Sequence, residues 1–265
     1  MRFATITSGS SGNCTYIGTE DTHILVDAGC SKKKIEEGLN KLDLCLSDLD
    51  AVFVTHEHSD HIAALHTMLK KADIPIFATA GTIDGIHESD KKGEMIDKTF
   101  IQIRADECVK VKDLSINPIT ISHDALEPVA YRITNGYNNV GVATDLGCYD
   151  DYIIDNLSNL DVLLLEANHD IRMLQAGPYP YVLKRRILSD KGHLSNEKSG
   201  ELLCKLLHDN MKAIFLGHLS EQNNYPELAY ETVRVEIEMN DNPYHGNDFP
   251  LFVADRKDIS RIIEF

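Results

Sequence analysis

Residues 55–61 read THEHSDH, which places three histidines and an aspartate within the six residues from His56 to His61. On a surface such a cluster would repel itself or sit idle as a solvated loop. A divalent cation, by contrast, wants neutral imidazole and carboxylate together. His56 and His58 are two apart, so in an extended segment they point the same way. Asp60 and His61 follow at the turn into the next helix, where they can face a second cation beside the first. The cluster alone supplies too few groups to close two metal sites, so further ligands must come from elsewhere in the chain.

Outward from this stretch, short β-rich apolar runs alternate with helical ones, the pattern of an α/β fold. HILVDAG (23–29), DAVFVTHEH (50–58), NPITISHD (117–124), NVGVATD (139–145), DVLLLEANH (161–169) and KAIFLGH (212–218) are strand-like, and each runs into Asp, Glu or His. Functional groups collect where the strands of such sheets end and loops begin. His123 or Asp145 alone would be an ordinary turn residue. Their shared position after strands of one type makes them candidate ligands. IAALHTMLKKA (62–72) and SNEKSGELLCKLLHDN (195–210) carry apolar residues at helical spacing. No Pro/Gly-rich linker divides the chain, so residues 1–265 read as a single domain.

The ordered set Asp27, HxHxDH at 56–61, His123, Asp145 and His218 resembles the metallo-β-lactamase fold superfamily over nearly the whole chain. The resemblance implies a four-layer αβ/βα sandwich with two divalent metals, zinc, manganese or iron, at the edge between its sheets. It implies that His56, His58 and His123 hold one metal, that Asp60, His61 and His218 hold the other, and that Asp145 bridges them. Asp27 would steady the histidine loop from behind. More narrowly, TSGSSGNCTYI, SHDALEPVAYRI, LLLEANHD, AGPYPYVLKRRI and two GHLS segments resemble the YycJ/WalJ (VicX) group of small bacterial proteins, linked to DNA exonuclease activity. Only 72 residues separate Asp145 from His218, too few for the inserted β-CASP domain of RNase J.

Two cations about 3.5–4 Å apart can polarise a phosphoryl oxygen and lower the pKa of a bridging water from 15.7 towards roughly 7. Hydroxide attack on phosphorus is the reaction this implies, with Asp60 suited to orient the nucleophile. The departing alkoxide needs a proton, for which a histidine that binds no metal is suited. GHLS occurs at 192–195 and again at 217–220. His218 ends a strand like the other ligands, whereas His193 sits in a polar loop before a helix. By resemblance to tRNase Z, His193 is the candidate proton donor, with Glu166 holding its other ring nitrogen.

Other features bound the reading. The net charge of −16 argues against a broadly basic nucleic-acid surface. Any phosphate must therefore be held by metals or by a local patch, and Lys184, Arg185 and Arg186 form the densest basic run. They are candidate substrate contacts, with a solvated helix face as the plain alternative. SGSSGN (8–13) lacks a P-loop lysine. It reads as a tight turn in which Ser10 and Asn13 are candidate phosphate contacts. Six scattered cysteines without a CxxC pair fit a reducing cytoplasm. The amino terminus lacks the apolar core of a signal peptide, and no apolar run approaches the ~20 residues of a membrane span. A nucleic-acid phosphodiesterase, DNA favoured over RNA, is the leading reading. A hydrolase of thioesters, lactones or cyclic nucleotides and a non-catalytic regulatory protein are the alternatives.

Overall fold

Every run that the sequence marks as a strand folds as one. The computed structural model describes residues 1–90, 93, 95 and 100–265, which form two compact units. The first comprises Met1–Thr120, Ala125–Tyr137 and Asp255–Phe265; the second comprises Ile121–Asp124 and Asn138–Ala254. The fold is α/β, with two mixed seven-stranded sheets flanked by helices.

The first unit holds β1 (Arg2–Thr7), β2 (Cys14–Gly18), β3 (His23–Val26), β4 (Ala51–Phe53), β5 (Ile76–Thr79) and β6 (Phe100–Ile103). These six lie in order across one sheet, and β14 (Ile263–Glu264) closes its other edge beside β1. Pairing is antiparallel from β14 to β3 and parallel from β3 to β6. An antiparallel meander of β7 (Val109–Val111), β8 (Leu114–Thr120) and β9 (Val129–Thr134) completes the strands of this unit. β2, β4 and β5 are buried along their whole length, as a sheet covered on both faces requires. Phe53 stacks on Phe77 at 4.6 Å between centroids and meets Tyr131 of β9 edge-on at 5.6 Å. The Tyr131 hydroxyl, buried with its ring, donates to the Val54 carbonyl at 2.6 Å.

The helices of the first unit are α1 (Lys32–Asn40), α2 (Ser59–Ile62), α3 (Leu65–Leu69) and α4 (Ala80–Ser89). The periodic stretch 62–72 predicts one helix, yet the chain breaks between α2 and α3. The cause is competition for backbone partners. The Asp60 carbonyl accepts from Asn13 N at 2.8 Å, and Ala64 N turns instead to the Ala28 carbonyl at 2.8 Å. The helical bond from Ala64 to Asp60 is thereby exchanged for two bonds that fix the histidine loop.

In the second unit β10 (Asn139–Ala143), β11 (Val162–Glu166), β12 (Ala213–Gly217) and β13 (Leu251–Val253) run parallel. The register pairs Ala143 with Leu165 and Glu166 with Gly217. Asp145, Glu166 and His218 therefore leave the sheet at one edge. The helices are α5 (Asp151–Leu157), α6 (Ile171–Ala176), α7 (Tyr181–Ile187), α8 (Asn196–Leu206) and α9 (Pro226–Met239). Ser195 caps α8 by accepting from Lys198 N, which ends the 192–195 loop at a fixed point. α9 buries Ala229, Val233 and Ile237 at four-residue spacing. Among the described residues no helix is long and apolar enough to cross a membrane.

Replacing Tyr131 by Phe should leave the fold intact but orphan the buried Val54 carbonyl. Urea unfolding is expected to show a loss of about 1–2 kcal/mol at unchanged m-value. A midpoint equal to that of the wild type would show that the Tyr131 hydroxyl adds nothing to the packing of β9.

Candidate functional site

In the first unit the histidine loop is built around Asp27. This residue follows β3 with φ of 64°, the left-handed region, and is 2% exposed. Its carboxylate accepts from Thr55 N at 2.8 Å, from the Thr55 hydroxyl at 2.9 Å and from His61 Nδ1 at 2.8 Å. Burial pushes the Asp27 carboxyl up, against the opposing pull of His61. Because a carboxylate only accepts, His61 carries its proton on Nδ1 and its lone pair on Nε2. The Asn13 amide nitrogen lies 3.1 Å from that Nε2, the geometry of a donor facing a lone pair. Thr55 Oγ1 also lies 3.0 Å from His56 Nδ1, and His56 Nε2 lies 3.0 Å from His58 Nδ1. Gly29 is required here, since a Cβ would lie 1.6 Å from the Asp60 carbonyl oxygen.

In the second unit Glu166, the last residue of β11, is fully buried and ties three loops together. Oε1 lies 2.8 Å from His193 Nδ1 and 2.8 Å from His218 Nδ1. Oε2 accepts from Leu146 N at 2.8 Å and Leu194 N at 3.1 Å. Burial pushes the Glu166 carboxyl up, but the His193 and His218 imidazoles outweigh it and hold the pKa down at about 2. Burial pushes His193 down, and the charge and hydrogen bond of Glu166 with the charge of Asp145 together reverse this, leaving it raised. Both histidines face the carboxylate through Nδ1, so each carries its lone pair on Nε2 while neutral. His123 Nδ1 donates to the Gly192 carbonyl at 3.1 Å, which selects the same tautomer. Burial lowers the His123 pKa and keeps it neutral.

Asp145 and His218 follow β10 and β12 with φ of 58° and 54°. Asp145, Glu166, His193 and His218 each offer one ligand atom within 4.8 Å of the others. Neutral imidazoles with a defined lone pair, beside buried carboxylates, are the donor set that a divalent cation takes. The His193 side chain is 17% exposed, against 3% for His218 and 2% for Asp145.

The candidate substrate contacts have varied surroundings. Asn13 turns into the histidine loop, and exposed Ser10 accepts from Arg256 at 3.2 Å. Lys184 Nζ donates to the carbonyls of Gln175 and Gly177 at 2.7 and 2.8 Å, joining α7 to α6. Arg186 makes a two-point pair with Asp124, whose Oδ1 lies 3.0 Å from Nη2. Exposed Arg185 has its guanidinium 6.0 Å from the centroid of the Tyr181 ring.

A family model described as a β-lactamase superfamily domain matches residues 22–214. The chain is 38% identical over 252 residues to a Streptococcus pneumoniae protein named exodeoxyribonuclease WalJ, covering 95% of this chain and 93% of that one. It is 37% identical over 240 residues to exodeoxyribonuclease YycJ of Bacillus anthracis, covering 90% and 89%. The chain belongs to the metallo-β-lactamase superfamily, in its WalJ/YycJ group. The fold also matches zinc-bound PqqB of Methylobacterium extorquens over the full length of both chains, with a TM-score of 0.74 at 14% identity.

Some residues of this superfamily site are not readable as functional from the sequence. Thr55 precedes the HxHxDH motif and looks like a strand residue, yet it bridges Asp27, His56 and His61. The Asn168 side chain donates to the His218 carbonyl at 2.9 Å and its own carbonyl accepts from Ser220 N at 2.7 Å, which holds the strained backbone of His218. Its place two residues past a strand-end glutamate, in EANHD (166–170), is the one signal for it. His169 packs with 1% exposure, and burial pushes its pKa down to about 4.

The Glu166 cluster has a pH signature in chelator-treated protein. The carboxyl falls from an ordinary 4.5 to about 2, so its contribution is complete above about pH 4.5 and is lost as pH drops towards 2. His193 is raised above 6.5, so its contribution is complete below that value and fades as pH climbs through the raised pKa. The stability gap between wild type and Glu166→Gln, read from urea midpoints, should be widest between these limits and shrink on either side. A gap constant from pH 3 to 9 would contradict the assigned charges.

Proposed function

We propose that this chain is a metal-dependent phosphodiesterase that digests nucleic acid from an end, with DNA preferred to RNA. The observation that carries the proposal is the Glu166 fork, one buried carboxylate oriented on two histidines of unequal exposure. A ligand and a proton donor held by one carboxylate suit a reaction in which an alkoxide leaves phosphorus. The exodeoxyribonuclease names of the two bacterial relatives support the same substrate.

The order of ligand types along the chain supports two cations. His56, His58 and His123 would hold one, Asp60, His61 and His218 the other, and Asp145 both. Zinc, manganese and iron all suit these donors. When bound, the cations supply positive charge at the phosphoryl group and acidify water. Asp27 and Glu166 keep the ring tautomers that such binding needs. Asp60 orients the attacking water through its carboxylate. His193, raised in pKa by Glu166, is the group that passes a proton from Nε2 to the departing oxygen. Lys184 and Arg186 serve mainly to hold α7, which leaves Arg185 as the cation offered to phosphate. Six cysteines without a disulfide fit a cytoplasmic setting.

Elemental analysis of protein loaded with zinc or manganese should give two ions per chain, and one or none at saturation would remove the dinuclear assignment. Digestion of end-labelled DNA, RNA and a thioester side by side should proceed fastest on DNA. Thioester turnover without nucleic-acid cleavage would point to a small-molecule hydrolase.

The two GHLS histidines should separate by variant. His218→Ala is expected to lose an ion. His193→Ala should keep both ions and cleave DNA about 10²- to 10⁴-fold more slowly, with much of the loss recovered on a nitrophenyl phosphodiester whose leaving group needs no proton. Metal loss in the His193 variant would instead make it a ligand.

A further inference from the structure

Two of the six cysteines lie side by side, each next to a residue that holds the histidine loop. Cys14 opens β2 directly after Asn13, and Cys30 comes directly after Gly29, whose amide donates to the Asn13 carbonyl at 2.8 Å. The two thiols hydrogen-bond to one another. Their surroundings divide them. Cys14 is fully buried, and burial pushes its thiol well up, so it keeps its proton. Cys30 is 6% exposed and stands directly before Ser31, the cap of α1, with Lys32, Lys33 and Lys34 following. The bond from Cys14 pulls the Cys30 thiol down to about 7 against burial, helped by Thr7 and by the Lys34 charge. A thiolate at a helix start beside cations is the nucleophilic member of a cysteine pair, and a protonated neighbour is placed to close the bridge.

Neither cysteine has slack on the side of the histidine loop. Asn13 N donates to the Asp60 carbonyl at 2.8 Å, and its side-chain nitrogen lies 3.1 Å from His61 Nε2. Ala28 N donates to the His61 carbonyl at 2.8 Å, and a Cβ on Gly29 would lie 1.6 Å from the Asp60 carbonyl oxygen. A Cβ on Gly12 would lie 2.9 Å from the Gly29 carbonyl oxygen and 3.1 Å from Cys30 Cβ. Closing a disulfide draws its sulfurs to about 2.05 Å. With backbone packed this closely, any movement of residues 13 or 29 passes to Asp60 and His61.

We propose that Cys14 and Cys30 are a thiol-modification site, a dithiol that hydrogen peroxide closes to a disulfide, and that closure weakens the hold of Asp60 and His61 on a cation. The Cys30 sulfur attacks one peroxide oxygen, the O–O bond breaks, and the released hydroxide takes up the thiol proton as water. The Cys14 sulfur then attacks the sulfenic acid so formed, and its proton leaves with the displaced hydroxide as a second water. Two thiols are oxidised to one disulfide and one hydrogen peroxide is reduced to two waters. The effect on the cation rests on the metal reading above, whereas the disulfide does not. Together they give the protein an off state under oxidising conditions that a reductant reverses.

No lysine or arginine lies between residues 3 and 31, so trypsin releases Cys14 and Cys30, and no other cysteine, on the single peptide 3–32. After metal-free protein is treated with hydrogen peroxide and its remaining thiols are alkylated, this peptide should be two hydrogen atoms lighter than its reduced form and carry no alkyl group. Dithiothreitol should restore it. Zinc affinity, read by competition with a chromophoric chelator, should fall about 10- to 100-fold on oxidation and recover on reduction. Cys30→Ser should keep its zinc affinity through the same treatment, and Cys14→Ser should stop at a sulfenic acid that dimedone traps. Alkylation of both Cys14 and Cys30 after exposed Cys45 is fully oxidised would overturn the dithiol. A Cys30→Ser variant that loses affinity as the wild type does, or a wild-type disulfide that leaves zinc affinity unchanged, would overturn its link to the histidine loop. A reduced protein that takes up no zinc would instead fail the metal reading, and the peptide would still decide the dithiol.

Discussion

A carboxylate removed from water costs several kcal/mol unless hydrogen-bond donors replace its hydration. Glu166 meets that demand with four, the imidazoles of His193 and His218 and the backbone amides of Leu146 and Leu194. Each donor comes from a loop beside β11, so satisfying one buried charge fixes three loops at once. Asp27 does the same for the histidine loop with Thr55 and His61. The ring orientations and tautomers of His61, His193 and His218 descend from these two carboxylates. Either carboxylate, left without its donors, would be among the least tolerable groups in the molecule.

The strand ends were legible in the sequence because a short apolar run that stops at Asp, Glu or His carries both its period and its polar end on its face. β3, β4, β10, β11 and β12 fall within runs singled out that way, β8 (Leu114–Thr120) starts three residues before its run, and α8 falls where periodicity puts it. The split between α2 and α3 was not legible. It depends on Asn13 and Ala28, distant in the chain, capturing backbone groups that the helix would otherwise use. Thr55 and Asn168 escaped for a similar reason, since their importance lies in whom they touch and not in their own chemistry. Glu166 was half legible: its bond to His193 follows from position, whereas its equal bond to His218 does not.

The basic run of α7 shows how a local charge can mislead when counted and inform when resolved. Three adjacent cations suggest a single phosphate clamp. In the fold they diverge, Lys184 onto the Gln175 and Gly177 carbonyls, Arg186 onto Asp124 and Arg185 over the Tyr181 ring. An acidic chain that handles a polyanion has little bulk attraction to rely on, so the few groups it offers must be held in place before the ligand arrives.

Asp27, Asp145 and His218 share a backbone conformation that residues with a side chain adopt only at a cost of order 1–3 kcal/mol each. All three stand at the first or second position after a strand, where glycine would sit without strain. Function and folding therefore pull these positions in opposite directions. Glycine at 145 or 218 would relieve that cost while loosening the chain, whereas at 27 it would also remove the acceptor for Thr55 and His61. The same left-handed backbone occurs at Asp43, Asp106, Lys112 and Asn159, so what sets 27, 145 and 218 apart is a buried side chain able to bind or orient a cation's ligands at a strand end.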